Sequence, residues 1–463
     1  MSRDTGNQTE ARRTDGIASR QIISVQQRRR LERRSVLESI TSNGTISACV
    51  MIAAAVAAVI CANTDAYAAV HDWFMRPVSI AIGGWEFSLT FELFVNDFLM
   101  AIFFLLVGIE LKYEMTVGEL RRPRQAALPM LAAVGGVVVP ATIYAVINRG
   151  GAVYGWAIPM ATDIAFALGV LSLLGSRVPP AIKVFFSTLA IADDLLAIAA
   201  IALFYGHAPQ LGWLAAAAVV TALLVFLNVR RHFRLAPYLA LGLVLWFCLF
   251  QSGVHATLAG VIMAFTIPAR SDINAGSLVE WLGSKLPELD DRFDDEAHIL
   301  GQHDFTHAVR GVERVVHRVT PPLQRLEHYI ATPVNFFILP LFAFVNAQVR
   351  LVGVDLGALV VDPVALGTYL GMLLGKPLGI FGMTFLVVRS SLAELPTGVH
   401  WKHILGIGIL GGIGFTMSIL IAGLAFTEIP AELLAAKTAI LAGSVSAALI
   451  GLGYMHVVCR EQE

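Results

Sequence analysis

LAIADDLLAIAAIALFY, from Leu189 to Tyr205, holds two adjacent aspartates, Asp193 and Asp194, inside an otherwise apolar run. As a helix this stretch would reach most of the way across a bilayer. A carboxylate at that depth costs ~3 kcal/mol on insertion scales, so ionisable residues there mark ion or proton paths by default. The alternative is a pair of acids that only neutralises a buried Lys or Arg.

Composition names the solvent. Of 463 residues, 56% are hydrophobic and only 14% charged, and the mean hydropathy is +0.70. A soluble domain has about half apolar and about a quarter charged residues, so the chain reads as an all-α polytopic membrane protein. Cys49, Cys61, Cys248 and Cys459 form no CxxC pair and suggest neither a metal site nor a disulfide framework. The net charge of -1 by itself argues neither for nor against nucleic acid. The lipid bilayer is its expected surroundings, and no nucleic-acid partner is expected.

Residues 1–44 are polar and arginine-rich, ending in QQRRRLERRS (Gln26 to Ser35), without the apolar core of a secretory signal. Asp4, Glu10, Asp15 and Glu32 weigh against a transit peptide, and a disordered cytoplasmic tail is expected. Apolar windows of about 20 residues then recur. They lie near 45–62, 93–111, 126–147, 155–174, 182–205, 212–229, 236–250 and 252–268, and after a gap near 334–349, 362–388, 404–425 and 436–458. That makes about twelve spans, helices 1–8 within 45–268 and 9–12 within 327–458. The seventh and eighth run almost together through Gln251, Ser252 and Gly253.

Cytoplasmic loops keep the Lys and Arg. Even-numbered windows are followed by Lys112, Arg121, Arg122 and Arg124, by Arg177 and Lys183, by Arg230, Arg231 and Arg234, by Arg389 and Lys402, and by Arg460. Odd-numbered windows are followed by Arg76, Arg149, Arg350 or Lys437 at most. Both termini are therefore expected in the cytoplasm, with 459–463 a short cytoplasmic end. Between the first two windows, VSIAIGGWEFSLT (Val78 to Thr90) alternates apolar and polar residues around Gly83-Gly84, the pattern of a small extracytoplasmic β-hairpin. Two strands are marginal alone, so residues 78–90 either pair with a second copy or fold over their own helices. The cytoplasmic loop 269–326 contains LDDRFDDEAH (Leu289 to His298), which lacks the spacing and glycine of a calcium loop. A solvated linker is expected there.

Two windows carry signs of interruption. IPMATDIAFALG (Ile158 to Gly169) puts Pro159, Thr162 and Asp163 in mid-span, where proline removes a backbone donor. ILGGIGFTMSIL (Ile409 to Leu420) puts Gly411, Gly412 and Gly414 beside Thr416 and Ser418. Broken helices at corresponding places of two halves point to a transporter site at mid-membrane, whereas such glycines alone also serve close helix packing. Lys376, in MLLGKPLGI (Met372 to Ile380), either snorkels to an interface or pairs with a buried acid.

MATDIAFALGVLSLLGSRVP, LAIADDLLAIAAIALFY, SGVHATLAGVI, RLEH followed by ILPLFAFVNA, LLGKPLGI and GGIGFTMSI, in this order and spacing, resemble the NhaA family of bacterial sodium/proton antiporters. The resemblance runs from about residue 45 to 458, and the family is itself one of the standard examples of inverted-repeat architecture with broken helices. It implies inverted-topology repeats with helices 4 and 11 interrupted and crossing. It also implies that Asp193 and Asp194 bind sodium and protons, Asp194 as the primary ligand of the transported ion, and that Lys376 pairs with Asp193. Asp163, beside Thr162, would offset helix-end charge at the crossing. Glu110, Lys112, Glu114, Glu327 and His328 match a cytoplasmic cluster associated with pH activation. Departures are Tyr113, where better-known members have arginine, Ala331, where they have a second histidine, Ala192 in place of a bulkier residue, and a longer tail and 270–320 loop. They bear on the activating pH more than on exchange.

The expected activity is electrogenic, pH-regulated exchange of sodium or lithium for protons across a bacterial inner membrane, by a homodimer built through the hairpin and without a cofactor. Its physical basis is competition. An acid withheld from water and set beside a second acid holds its proton more tightly, so near neutral pH it either keeps the proton or coordinates a cation, never both. Adjacent helix residues point about 100° apart, so one aspartate can bind sodium while the other exchanges a proton or its bond to Lys376. A magnesium-dependent prenyl- or alcohol-phosphate transferase would show repeated DxxxD or DDxxD acids at a membrane face. An intramembrane aspartyl protease would need YD and GxGD, and neither occurs. The remaining alternative is a sodium-coupled solute symporter of inverted-repeat design.

Overall fold

The computed structural model describes residues 44–460 apart from 83–84, 122, 207–208, 272–274 and 295–296. The expected tail up to residue 43, the Gly83-Gly84 turn and the last three residues lie outside the described residues. The rest is overwhelmingly helical, as an apolar chain must be when only helices and closed barrels satisfy their own backbone in lipid.

In chain order, α1 (Gly44–Ala62) and the short α2 (Tyr67–Met75) precede two antiparallel strands, β1 (Val78–Ile82) and β2 (Trp85–Leu89), in the register Val78↔Leu89, Ser79↔Ser88 and Ile80↔Phe87. α3 (Phe91–Thr116) contains a π-helical turn at Phe94–Leu99, and α4 (Pro123–Ile147) follows. A 3-10 segment, Val153–Met160, leads into α5 (Ile164–Ser172), and α6 (Pro180–Phe204) holds the aspartate pair. Then come α7 (Leu211–Val229), α8 (Leu235–Ser252), α9 (Leu258–Thr266), α10 (Ala275–Arg292) and α11 (His303–Val319). α12 (Pro322–Asn346), the short α13 (Leu356–Val361), α14 (Pro363–Arg389), α15 (Trp401–Gly411), α16 (Phe415–Ala425) and α17 (Pro430–Arg460) complete the chain.

Ten helical stretches among the described residues are long and apolar enough to cross a membrane, and α15 with α16, bent by 46°, makes an eleventh. The eighth expected span, 252–268, differs. Gly253 takes the left-handed φ of 78° and the Ser252 hydroxyl accepts the Val254 N–H, so the start of that window is spent on a turn and only the nine-residue α9 remains. The expected linker at 270–320 also differs. Phe305, Ala308, Val312, Val315 and Val319 recur every three or four residues and are half-buried, so α11 is an amphipathic helix packed against α10. Of the described residues of LDDRFDDEAH, only Leu289 to Arg292 belong to a helix. On exposed α10, the Lys285 ammonium hydrogen-bonds Glu288 and holds its carboxyl below the ordinary value.

Two apolar clusters organise the bundle. α3, α7, α8 and α9 share one, around Leu105, Leu224, Leu245 and Met263, joined by Leu323 and Leu326 from the start of α12. The other surrounds α6 with α1, α4, α5 and α12 through α17. Its closest helix crossing is α4 on α14. A Cβ on Gly135 would collide with the Gly379 carbonyl oxygen, and one on Gly379 with that of Gly135. Lys376 lies one turn before Gly379, so this approach fixes how far its side chain reaches. Replacing Gly135 or Gly379 by alanine is expected to cost on the order of 1–3 kcal/mol by overpacking. Thermal melting of the purified protein checks this, and an unchanged melting temperature in both variants would contradict it.

Candidate functional site

The site is built where two helices fail. Pro159 sits in the 3-10 segment Val153–Met160, Ala161 is extended (φ -77, ψ 145), and helix resumes at Ile164 with Asp163 as N-cap, its Oδ1 accepting the Phe166 N–H at 3.0 Å. A Thr-Asp pair after proline is a natural start signal, since a short carboxylate satisfies the orphan N–H groups of the first turn. The second break separates α15 from α16 at Gly412, Ile413 and Gly414. There a Cβ on Gly414 would meet the Ala161 carbonyl oxygen at 2.6 Å.

The two breaks hold each other. Asp163 N–H donates to the Ile413 carbonyl at 2.7 Å, and Thr162 Oγ1 to that of Gly411 at 2.9 Å. Thr416 donates to Asp163 Oδ2 from both its N–H (3.2 Å) and its hydroxyl (2.5 Å). Ser418 Oγ donates to the Ile158 carbonyl at 2.8 Å, and Ser444 Oγ of α17 accepts the Phe415 N–H at 3.1 Å. One carboxylate thus takes N–H groups from the first turns of two helices, α5 and α16, whose partial positive charges it offsets.

α6 passes beside this crossing, with Asp193 and Asp194 buried. Lys376 Nζ donates to Asp193 Oδ2 at 2.6 Å, at 0% and 1% exposure. The lysine follows directly on the π-helical turn Gly371–Gly375, a deformation common at functional sites. Asp194 faces elsewhere. It lines a cavity of about 300 Å³ with Asp163, Thr416, Glu110, Tyr113, Glu114 and Glu327, while Asp193 does not. Oδ1 of each aspartate is buried without a hydrogen-bond partner among the described residues. Two orphaned carboxylate oxygens are acceptors suited to a proton or a hard cation.

The cytoplasmic cluster expected from sequence divides. Glu110, Glu114 and Glu327 share the cavity with Asp194. Lys112 does not: Nζ donates to the Ala264 (3.2 Å), Phe265 (2.8 Å) and Ile267 carbonyls and so closes the C-terminal end of α9. Residues two apart on a helix face opposite ways, which separates Lys112 from the glutamates on either side. His328 is exposed, one position round from Glu327, with its ring 6.3 Å from that of Tyr329. Tyr113 lines the cavity, Ala331 packs on the larger apolar cluster and Ala192 is buried.

Sequence reasoning missed Ser47, Ser187 and Asn335, which also line the cavity, and Ser444. Ser187 was findable: Ser187, Ile191 and Asp194 fall at i, i+4 and i+7, one helix face, and all three line it. Ser47 and Asn335 come from distant segments and are joined only by the fold, through Ser47 Oγ donating to the Asn335 carbonyl at 3.0 Å.

Comparison with known proteins bears on what such a site serves. A sequence model of the family described as Na+/H+ antiporter 1 matches residues 38–455. The chain is 44% identical over 418 residues to the Na(+)/H(+) antiporter NhaA of Oleidesulfovibrio alaskensis, covering 90% of this chain and 92% of that protein. It is 45% identical over 410 residues to the NhaA of Rhodospirillum rubrum (87% and 92%) and 43% identical over 408 residues to that of Helicobacter pylori (87% and 91%).

Removing one partner of a buried ion pair strands the other charge, at about 3–5 kcal/mol. Asp193→Asn and Lys376→Gln should each lower stability on that scale, and the double variant should lose less than the sum of the two. A double-mutant cycle by thermal melting tests this coupling, and additive losses would refute it.

Proposed function

The chain belongs to the Na+/H+ antiporter 1 family, and from that premise we propose that it is an electrogenic, pH-regulated antiporter extruding sodium or lithium in exchange for protons. The observation that carries the reading is the division of the aspartate pair: Asp194 lines the cavity while Asp193 holds Lys376. Asp194 is the primary ligand of the transported cation, with Thr162 and Asp163 at the helix crossing beside it. A proton and sodium compete for the same carboxylate oxygens. If the carrier changes its facing only when loaded, competition becomes counter-transport. Asp193 provides the second exchangeable group, releasing Lys376 when it takes a proton, so that charge moves in each turnover. The exchange needs no cofactor beyond its ions.

Within this reading, the breaks at 161–163 and 412–414 are equivalent parts of two inverted repeats, and Glu110, Glu114 and Glu327 form the titrating cytoplasmic funnel. Lys112 and His328 act on that funnel from outside it, Lys112 through its hold on α9. The protein sits in a bacterial inner membrane with both termini cytoplasmic, supported by the Lys and Arg that follow even-numbered windows. The strands 78–82 and 85–89 pair only with each other among the described residues, leaving edges for a second copy in a homodimer.

The test uses everted membrane vesicles with a fluorescent probe of the pH gradient, between pH 6.5 and 8.5. Sodium and lithium should collapse the gradient, Asp194→Asn should abolish the response, and an imposed membrane potential should change the rate. A gradient untouched by either ion at every pH would reject antiport in favour of sodium-coupled solute symport. Rates indifferent to voltage would reject electrogenic turnover alone.

A further inference from the structure

α10 has two apolar sides and only one of them is covered. Leu278, Trp281, Lys285 and Leu289 fall at i, i+3, i+7 and i+11 and are half-buried, the side packed on α11. On the next side, Val279, Leu286 and Phe293 recur two turns apart and are 71%, 64% and 43% exposed. Phe293, just past the helix end, rests on Phe305 with ring centroids 5.1 Å apart. Further round the same helix stand Asp290, Glu280 and Asp291, all exposed. Lys285 and Arg292, the cations of α10, both pair with Glu288. Glu280, Asp290 and Asp291 form no ion pair among the described residues. An exposed apolar stripe edged by unneutralised acids fits a partner that carries arginines beside apolar side chains.

The chain itself contains such a segment. RRRLERRSVL, from Arg28 to Leu37, sets five arginines and one glutamate beside Leu31, Val36 and Leu37. It lies outside the family match, which begins at residue 38. Its exit is on the right side of the molecule, because Gly44, where α1 begins, lines the cation cavity together with Glu327. Glu327 belongs to the first turns of α12, shortly after α11 ends at Val319. From Leu37 to Gly44 the extended chain reaches about 24 Å. α11 offers no rival surface. Its Arg310, Arg314 and Arg318 line a cavity of about 1230 Å³ with Arg325 and with Arg231 and Arg234 of the turn between α7 and α8, and like charge turns an arginine-rich segment away. The acids beside the stripe likewise oppose the negative surface of an anionic bilayer.

We infer that the exposed stripe of α10 is the docking site of this chain's own arginine-rich segment, residues 28–37. Leu31, Val36 and Leu37 cover the stripe while the guanidinium groups meet Asp290, Glu280 and Asp291. The pairs are solvent-exposed, so the contact weakens as salt rises. It does not depend on which ion the protein exchanges.

Full-length protein with the photoreactive residue p-benzoylphenylalanine at Leu286 is reconstituted in liposomes of phosphatidylcholine and phosphatidylglycerol, isotopically light and heavy chains together. After irradiation, mass spectrometry should find Leu286 linked to the segment before Gly44, both ends light or both heavy. Replacing Arg28, Arg29, Arg30, Arg33 and Arg34 by glutamine should lower the yield about tenfold, and so should Glu280→Gln with Asp290→Asn and Asp291→Asn. Arg310→Gln with Arg314→Gln, on the other side of α11, should leave it unchanged. Links only to lipid, links between a light and a heavy chain, no link at all, or a yield that either charge variant leaves unmoved overturns the assignment. Should the label at Leu286 prevent folding, the same label at Val279 decides by the same outcomes.

Discussion

The carboxylate of Asp163 is the constraint on which the centre of the protein depends. α5 and α16 both begin inside the apolar bundle, and each would leave orphan N–H groups and partial positive charge in a place without water. One acid answers both: Oδ1 accepts from Phe166 and Oδ2 from Thr416. Threonine hydroxyls and exchanged backbone bonds complete the joint, with Thr162 on the Gly411 carbonyl and Asp163 N–H on that of Ile413. Because each break supplies what the other lacks, neither can be straightened alone, and irregular backbone is tolerated at this depth only because it faces protein and a cavity.

The aspartate pair inherits its asymmetry from that joint. Asp163, Asp193, Asp194 and Lys376 are all buried. Asp163 is taken up by helix ends and Asp193 by Lys376, so the carboxylate left facing the cavity is Asp194. Neighbours on one helix point about 100° apart, and this alone converts an adjacent pair into groups with different partners. The close crossing of α4 and α14 at Gly135 and Gly379 in turn sets the reach of Lys376.

Much of this was legible because membrane segments are written in composition. Apolar windows, the proline at 159, the glycines near 412 and the buried acids are local signals, and apart from 252–268 the long apolar helices fall where the windows predict. What was illegible depends on where a chain turns or on which face meets which. The 252–268 window read as a span because hydropathy does not register that Gly253 starts a turn. The 270–320 segment reads as a linker because its acids lack the pattern of a calcium loop, whereas the spacing of Phe305, Val312 and Val319 belongs to a helix. The family resemblance groups Lys112 with Glu110 and Glu114, yet a two-residue step crosses to the far side of a helix, where Lys112 caps α9.

That same step explains how one helix end serves two cavities of opposite sign. At the start of α12, Arg325, Glu327 and Tyr329 alternate across the axis while Leu323 and Leu326 anchor it in the smaller apolar cluster. Glutamate meets the acids around Asp194, and arginine meets the cations of α11 and the α7–α8 turn. Opposite charges placed back to back on one helix partly balance each other's field, so each cavity keeps its own sign while the helix between them remains near neutral.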